Sequence, residues 1–294
     1  MSVLFQLLIN GLIAGAIYAL VASGFSLIYS TCKFIHFAHG AVIAFSAYIL
    51  YFLFSILGFE FYISALLSIL FAALLGYGLN FIVYRKLRER KASNFILLIS
   101  SLALLILLES LILMIFGADV KTLGFIEVSK GIKIFGAIIT PLQIMIIAVS
   151  VLLLFSLLLF MKRTKLGKAM RAVSDNKDVA QICGISSENI YAWSFIIGSA
   201  IAGVAGILIG LEQNLDPAMG TDLMIKGFTA AIIGGIGSIP GAILGAFLLG
   251  LAENFGIWYL PSGYKDAIAF VLLFLFLLLR PKGILGVKRE GEKE

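Results

Sequence analysis

Charge is what this chain has least of. Only 13% of its 294 residues are Asp, Glu, Lys or Arg, where soluble domains carry about a quarter. The apolar share is 61% and the mean hydropathy is +1.10. A soluble protein of this length could not enclose that much apolar side chain in one core, so the soluble classes are excluded. So is intrinsic disorder. With two cysteines the chain is no disulfide-stapled scaffold. No basic segment precedes the first apolar run, so a cleavable signal peptide is not expected. The polar stretches are too short to build a core of their own.

What remains is a membrane protein, and the long charge-free runs say which kind. Nothing is charged before Lys33, and only Glu60 interrupts the stretch from there to Arg85. Further runs lie between Lys133 and Lys162, Glu188 and Glu212, Lys226 and Glu253, and Asp266 and Arg280. All but the last approach or exceed the ~20 residues with which a helix crosses the hydrocarbon. A transmembrane barrel would alternate apolar and polar residues in short segments. Leu152-Leu153-Leu154-Phe155 and Leu272-Leu273-Phe274-Leu275 do not alternate. The expected fold is all-α: a polytopic transmembrane helical bundle of about eight segments, with broken or re-entrant helices and two pseudo-repeats. Residues 1–290 form one transmembrane domain and 291–294 a short polar tail.

The surplus of 22 basic over 16 acidic residues gives a net charge of +6. A nucleic-acid reading would need a basic face on a soluble fold, and here the bases fall instead into three groups. Arg85, Lys86, Arg88, Arg90 and Lys91 form the first. Lys162, Arg163, Lys165, Lys168, Arg171 and Lys177 form the second, and Arg280, Lys282, Lys288, Arg289 and Lys293 the third. Between them, Glu212, Asp216 and Asp222 share a stretch with the single Lys226. The positive-inside rule puts the basic groups, and with them the C-terminus, in the cytoplasm, and the acidic loop outside.

Helices at about 61–84, 95–116, 139–161, 191–211 and 265–280 then cross in alternating directions. Residues 226–255 must start and finish outside, and Gly234-Gly235-Ile236-Gly237-Ser238-Ile239-Pro240-Gly241 breaks them into a re-entrant pair. Irregular backbone at membrane depth is tolerated only inside protein or beside a watery path. The linker Lys33-Phe34-Ile35-His36-Phe37-Ala38-His39-Gly40 separates two further apolar runs. If it is cytoplasmic, the N-terminus lies outside. If it is a second re-entrant break, the N-terminus lies inside and the two ends are parallel repeats, and repeat logic favours that version.

The loop 162–190 contains Asp178-Val179-Ala180-Gln181-Ile182-Cys183-Gly184-Ile185. Apolar residues at 179, 182 and 183 suggest a short amphipathic helix ended by Gly184. Physics alone permits a solvated connector here. Asp178-Val179-Ala180 with Gly184 resembles the EAA-x-x-x-G loop of ABC importer permeases, where a coupling helix docks on the ATPase subunit. Tyr18-Ala19-Leu20, Leu27-Ile28-Tyr29, Phe37-Ala38-His39-Gly40, Asp216-Pro217-Ala218-Met219-Gly220, the 234–241 glycine run, Tyr264-Lys265-Asp266-Ala267 and Arg280-Pro281-Lys282-Gly283 follow in order. From about residue 8 to 286 this set resembles the LivH-type permeases of branched-chain amino-acid importers. One departure is His36, where that family usually has Asn.

The resemblance implies an inner-membrane permease subunit that imports Leu, Ile and Val delivered by an extracytoplasmic binding protein. It implies a second, LivM-type permease and two ATPase subunits as partners, with ATP and Mg on those subunits and no cofactor on this chain. Its rivals are an ABC permease for urea or short amides, and a secondary transporter or channel acting alone. Lys168, Arg171, Asp178, Ala180, Gly184 and Ile185 are the expected coupling residues. His36, Phe37, Ala38, His39, Gly40, Gly234, Gly235 and Gly237 are expected to wall the pathway.

Other features weigh less. Gly167-Lys168 is no phosphate loop, because Lys162 and Ala169 stand where the Walker pattern needs Gly and Ser or Thr. No nucleophile–base pattern is evident, so no enzyme is expected. His36 and His39 are too few for a stable metal site and suit hydrogen bonding at a helix break. Gly11 with Gly15, Gly206 with Gly210, and Gly241 with Gly245 suit close helix packing, within the chain or at a seam with a second permease. Glu109 is the carboxylate well inside an expected helix, toward its outer end. Cys183, in a reducing loop, is not expected to pair with Cys32.

Overall fold

The computed structural model describes residues 2–125, 131–134 and 136–286. Lys288, Arg289, Lys293 and the 291–294 tail lie outside the described residues. Eight helical segments among those described are long and apolar enough to cross a membrane. They run Val3–Cys32, His39–Ile56, Phe61–Glu89, Asn94–Phe116, Pro141–Arg163, Ser187–Glu212, Ile239–Gly256 and Ser262–Leu279.

In chain order, α1 (Ser2–Cys32) is followed by an irregular segment and α2 (His39–Tyr51), which continues as a wide turn, Phe52–Ile56. Next come α3 (Phe61–Leu79), a second wide turn and α4 (Arg85–Glu89), then α5 (Asn94–Phe116). A small antiparallel hairpin, β1 (Ile132–Ile134) and β2 (Ala137–Ile139), precedes α6 (Pro141–Arg163), with Ile132 opposite Ile139. Two short helices, α7 (Lys165–Asp175) and α8 (Lys177–Ile182), lead to α9 (Ser187–Glu212). The chain closes with α10 (Met219–Gly234), α11 (Ile239–Gly256) and α12 (Lys265–Leu279).

Local chemistry explains several boundaries. Thr140 and Gln143 form a reciprocal capping box at the start of α6, with Pro141 behind the cap. Ser93 caps α5, and Ser238 caps α11 by accepting from Gly241 N–H. The outer faces of α3, α5, α6 and α12 carry rows of exposed Leu, Ile and Phe, as a lipid-facing surface requires.

The described residues of the basic groups gather at one end of the bundle. Lys33, closing α1, lies with its Nζ 3.4 Å from Ser174 Oγ on α7. Arg88 on α4 pairs with Glu188 in the first turn of α9. The segment after α12 meets the α10–α11 turn, which in turn abuts Tyr29 and Ser30 of α1. At the opposite end Gln6 exchanges two hydrogen bonds with Ile138 of the hairpin, Gln143 donates to Glu212, and Lys121 pairs backbone with Leu215.

These contacts correct the favoured reading of the N-terminus. α1 runs from the hairpin end to the basic end, so the 33–40 linker begins at the basic end and the N-terminus lies opposite. The repeats are also inverted, not parallel. The set α1, α2, α3, α5 recurs as α9, α10, α11, α12 with every direction reversed, because the single crossing α6 separates the two sets. The packing exchanges partners accordingly: α1 lies on α11, α3 on α9, α2 on α9 and α10 on α1.

Candidate functional site

The coupling surface is built outward from α6. Thr164 ends that helix and caps α7 by accepting from Gly167 N–H at 3.0 Å. A side chain at Gly167 would meet the carbonyl of Phe160 and the backbone of Met161. α7 buries Gly167, Met170 and Val173 toward the bundle and turns Lys168 and Arg171 to solvent. Asn176 Oδ1 then accepts from the amides of Asp178 and Val179, starting α8 within one residue.

α8 ends in a Schellman arrangement. Ile185 N–H reaches Ala180 C=O and Gly184 N–H reaches Gln181 C=O, with Gly184 at φ +83°. The helix is amphipathic as expected, but its faces are the other way round from a core-packed helix. Ala180 is buried, Ile185 is half-buried, and Asp178 is exposed. Val179 is 54% exposed and Ile182 86%, with Cys183 exposed beside them. The helix therefore turns an apolar tip away from its own bundle.

Behind this surface sits a tie that sequence reasoning counted only as an orientation signal. Arg88 forms a two-pronged pair with Glu188, Nε to Oε1 at 3.1 Å and Nη2 to Oε2 at 2.8 Å. It also donates to Asn80 Oδ1 and lies over the Tyr191 ring. Charge-assisted, two-pronged pairs fix geometry as well as energy. This one locks α4 to the first turns of α9, next to the coupling helices.

The predicted break at 36–40 lies inside the protein. A side chain at Gly24 would come within 3.0 Å of His39 Nε2, and Gly24 is eight residues, ~12 Å, from the end of α1. After Lys33 the chain thus turns back along α1, and α2 begins in the interior. Ser101 on α5 serves the backbone there, accepting from Phe37 N–H, with its single proton between Ile35 C=O at 3.2 Å and Leu98 C=O at 2.8 Å. His36 Nδ1 is 2.9 Å from the Tyr84 hydroxyl, within rings from Phe34 and Phe195. His36, Ala38, His39 and Gly40 are buried, and Phe37 partly so.

What meets this break was not anticipated. α10 starts after Asp216-Pro217-Ala218 just as α2 starts after Phe37-Ala38, each with an αR alanine as its cap. The two starts cross at Gly40 and Gly220, where a Cβ on either would overlap the carbonyl oxygen of the other. The inverted partner of 36–40 is therefore 216–220. The 234–238 turn lies at the basic end instead, with Gly235 and Gly237 at positive φ. There Ile284 and Leu285 N–H groups pair with Ile233 and Gly234 C=O, so the Arg280-Pro281-Lys282-Gly283 motif closes that turn.

The glycine pairs pack within the chain: Gly11 and Gly15 on α11, Gly206 on α2, Gly241 and Gly245 on α10. Glu109 is partly buried and accepts from Thr221 in the first turn of α10. Among the described residues the fully buried carboxylate is a different one, Glu253 on α11, which accepts from the Tyr18 hydroxyl at 2.8 Å. Nearby Lys226 lies over the Tyr18 ring and pairs with Asp266 at 3.1 Å. Sequence reasoning took Lys226 and Glu253 for the ends of a charge-free run, and nothing in their neighbours distinguished them.

A family model described as "Branched-chain amino acid transport system / permease component" matches residues 7–277. The permease protein BraD of a high-affinity branched-chain amino acid transport system of Pseudomonas aeruginosa is 39% identical, over 98% of this chain and 97% of its own. LivH of the corresponding system of Salmonella typhimurium is 35% identical, over 98% and 97%. Among solved structures, PsaBC from Streptococcus pneumoniae in complex with Fab superimposes with a TM-score of 0.52 at 15% identity. That match covers 93% of this chain and 91% of the other, and it speaks to the fold alone.

Proposed function

This chain belongs to the branched-chain amino acid transport system permease family, and from that premise we propose that it carries Leu, Ile and Val as one half of an ABC importer. Its partners in this reading are a LivM-type permease, two ATPase subunits and an extracytoplasmic binding protein. The basic end faces the cytoplasm of a multi-pass inner-membrane subunit, and the C-terminus lies on that side. ATP and Mg are handled by the partner subunits, since Gly167-Lys168 lies in the first turn of α7 without the rest of a Walker loop.

The observation that carries this reading is the outward apolar tip of α8. Val179 and Ile182 are exposed at the basic end, on a helix fixed at both ends by Asn176 and Gly184. Such a patch gains free energy once a partner covers it. When the ATPase subunits close, α8 moves with them and pushes α7. That helix packs on α6, α1 and α9, so the displacement enters the bundle at three places. The Arg88–Glu188 tie extends it to α4 and α3.

The inverted halves supply the two-sided mechanism. α2 and α10 start together at Gly40 and Gly220 and leave in opposite directions, one toward each end. Rocking of one half on the other about that crossing opens the two ends in turn. The residues 36–40 and the 234–237 turn act here as the packed joints of the moving halves.

The experiment is co-purification of the chain with its partner permease and ATPase subunits, followed by ATP-driven leucine uptake into proteoliposomes charged with binding protein. Uptake of leucine that requires ATP and all subunits is expected. Urea uptake in place of leucine, or leucine uptake without ATPase subunits, would overturn the reading.

A further inference from the structure

We propose that a polar cavity at the hairpin end is a binding site for one free α-amino acid, taken up as its zwitterion inside this subunit. The inference rests on the transport reading above and adds to it a place within the chain where the substrate is held. The cavity measures ≈220 Å³ and lies among α1, α6, α9, α11 and the start of α12. That is room for a single small ligand, at the end of the bundle opposite the coupling helices.

Its lining combines what a zwitterion with an apolar side chain requires. Lys265 is its cation and Glu212 its anion, and neither forms an ion pair among the described residues. Glu212 is held in place through one oxygen, which accepts from Gln143 at 2.9 Å. Its second oxygen is left to accept from an ammonium group. Tyr18 also faces the cavity, but its proton is committed to the buried Glu253 at 2.8 Å. The phenol oxygen can then only accept, which again suits an ammonium. Asn254 is similarly polarised, since its NH2 donates to Gly250 C=O and leaves its own carbonyl as an acceptor.

The ligand's carboxylate is left to Lys265, and its side chain to the aliphatic wall of Ile17 and Ile209. Glu253 does not touch the cavity's contents. It is a positioning residue, fixing the direction in which the Tyr18 hydroxyl donates. A lone metal ion would make no use of the aliphatic wall, and a cationic or acidic side chain would find no counterpart left over. The headgroup of phosphatidylethanolamine carries the same ammonium and acid pair, so the test separates that source from free amino acid.

The test uses the complete importer in bilayers, with the wild-type chain and the variants Glu212→Gln and Lys265→Gln. Binding of radiolabelled leucine is measured without binding protein, and ATP-driven uptake with saturating loaded binding protein. Each variant is expected to weaken leucine binding by about tenfold or more, as loss of a charge-assisted contact does. Assembly of the importer and its melting temperature should stay at wild-type values, which separates a lost contact from a lost fold. Tyr18→Phe should weaken binding while Glu253→Gln, which keeps an acceptor for Tyr18, should largely preserve it.

If wild-type and variants bind and transport leucine alike, the cavity is not the site while the transport reading stands. If the wild-type importer moves no leucine, the transport reading itself fails. If leucine binding appears only in bilayers free of phosphatidylethanolamine, or the variants respond to that lipid alone, the occupant is a headgroup and the proposal is overturned.

Discussion

Replacing Ile182 by Ala isolates the docking role of α8 from its folding role. The side chain is 86% exposed, so little packing within the chain is lost with it. The substitution removes three carbons, each contributing about 0.8 kcal/mol when transferred out of water. Scaled by the exposed share, docking should lose about 2 kcal/mol, or roughly 30-fold in affinity. Stability of the subunit should change by less than about 0.5 kcal/mol, as for other surface positions. The assay is titration of purified ATPase dimer onto the permease pair in nanodiscs, with thermal unfolding of the permease alone as the control. ATP-driven uptake at limiting ATPase should fall in parallel with affinity. Affinity within twofold of wild type would refute the docking role. An equal loss of permease stability would show that Ile182 serves the fold.

Three further substitutions probe the elements behind that tip. Gly184→Ala meets no neighbouring atom but forces an L side chain into φ +83°, so it should destabilise the α8 terminus by about 1 kcal/mol and slow uptake, with Gly184→Asn milder. Proteolysis rates within 176–186 and uptake rates would register it; no difference between Ala and Asn would remove the left-handed-cap explanation. Gly40→Ala drives a methyl into the Gly220 carbonyl, whereas Gly78→Ala on α3 enters open space. The first should lower the melting temperature in detergent sharply and the second hardly at all, and equal melting temperatures would contradict the helix crossing. Ser101→Ala strips Phe37 N–H of its acceptor, which should lower stability by about 1–3 kcal/mol in denaturant titrations. An unchanged midpoint would mean that the break at 33–38 is hydrated.

How much of this was legible from residue order depends on the range over which each feature is determined. The crossings at 61–84, 95–116, 139–161 and 191–211 could be read because hydrocarbon acts on every residue of a helix separately, and a charge-free run records that directly. α8 could be read as a short amphipathic helix for a similar local reason. Its spacing, however, does not say which face looks inward, and Ala180 rather than Ile182 turned out to face the bundle. The direction of α1 depends on contacts across the fold, Lys33 with Ser174 at one end and Gln6 with Ile138 at the other. Sequence reasoning weighed two symmetric alternatives there and favoured the wrong one. The true repeat is marked only by an Ala and a Gly two apart, in Phe37-Ala38-His39-Gly40 and Pro217-Ala218-Met219-Gly220. Those residues become meaningful once their helices are seen to cross. Glu253 and Lys226 were hidden because a charge at the edge of an apolar run reads as its boundary. A buried carboxylate announces itself only through its partners, and Tyr18 is 235 residues away. The parts of the site that bind or move are thus the parts that long-range contacts create, whereas the scaffold is written one helix at a time.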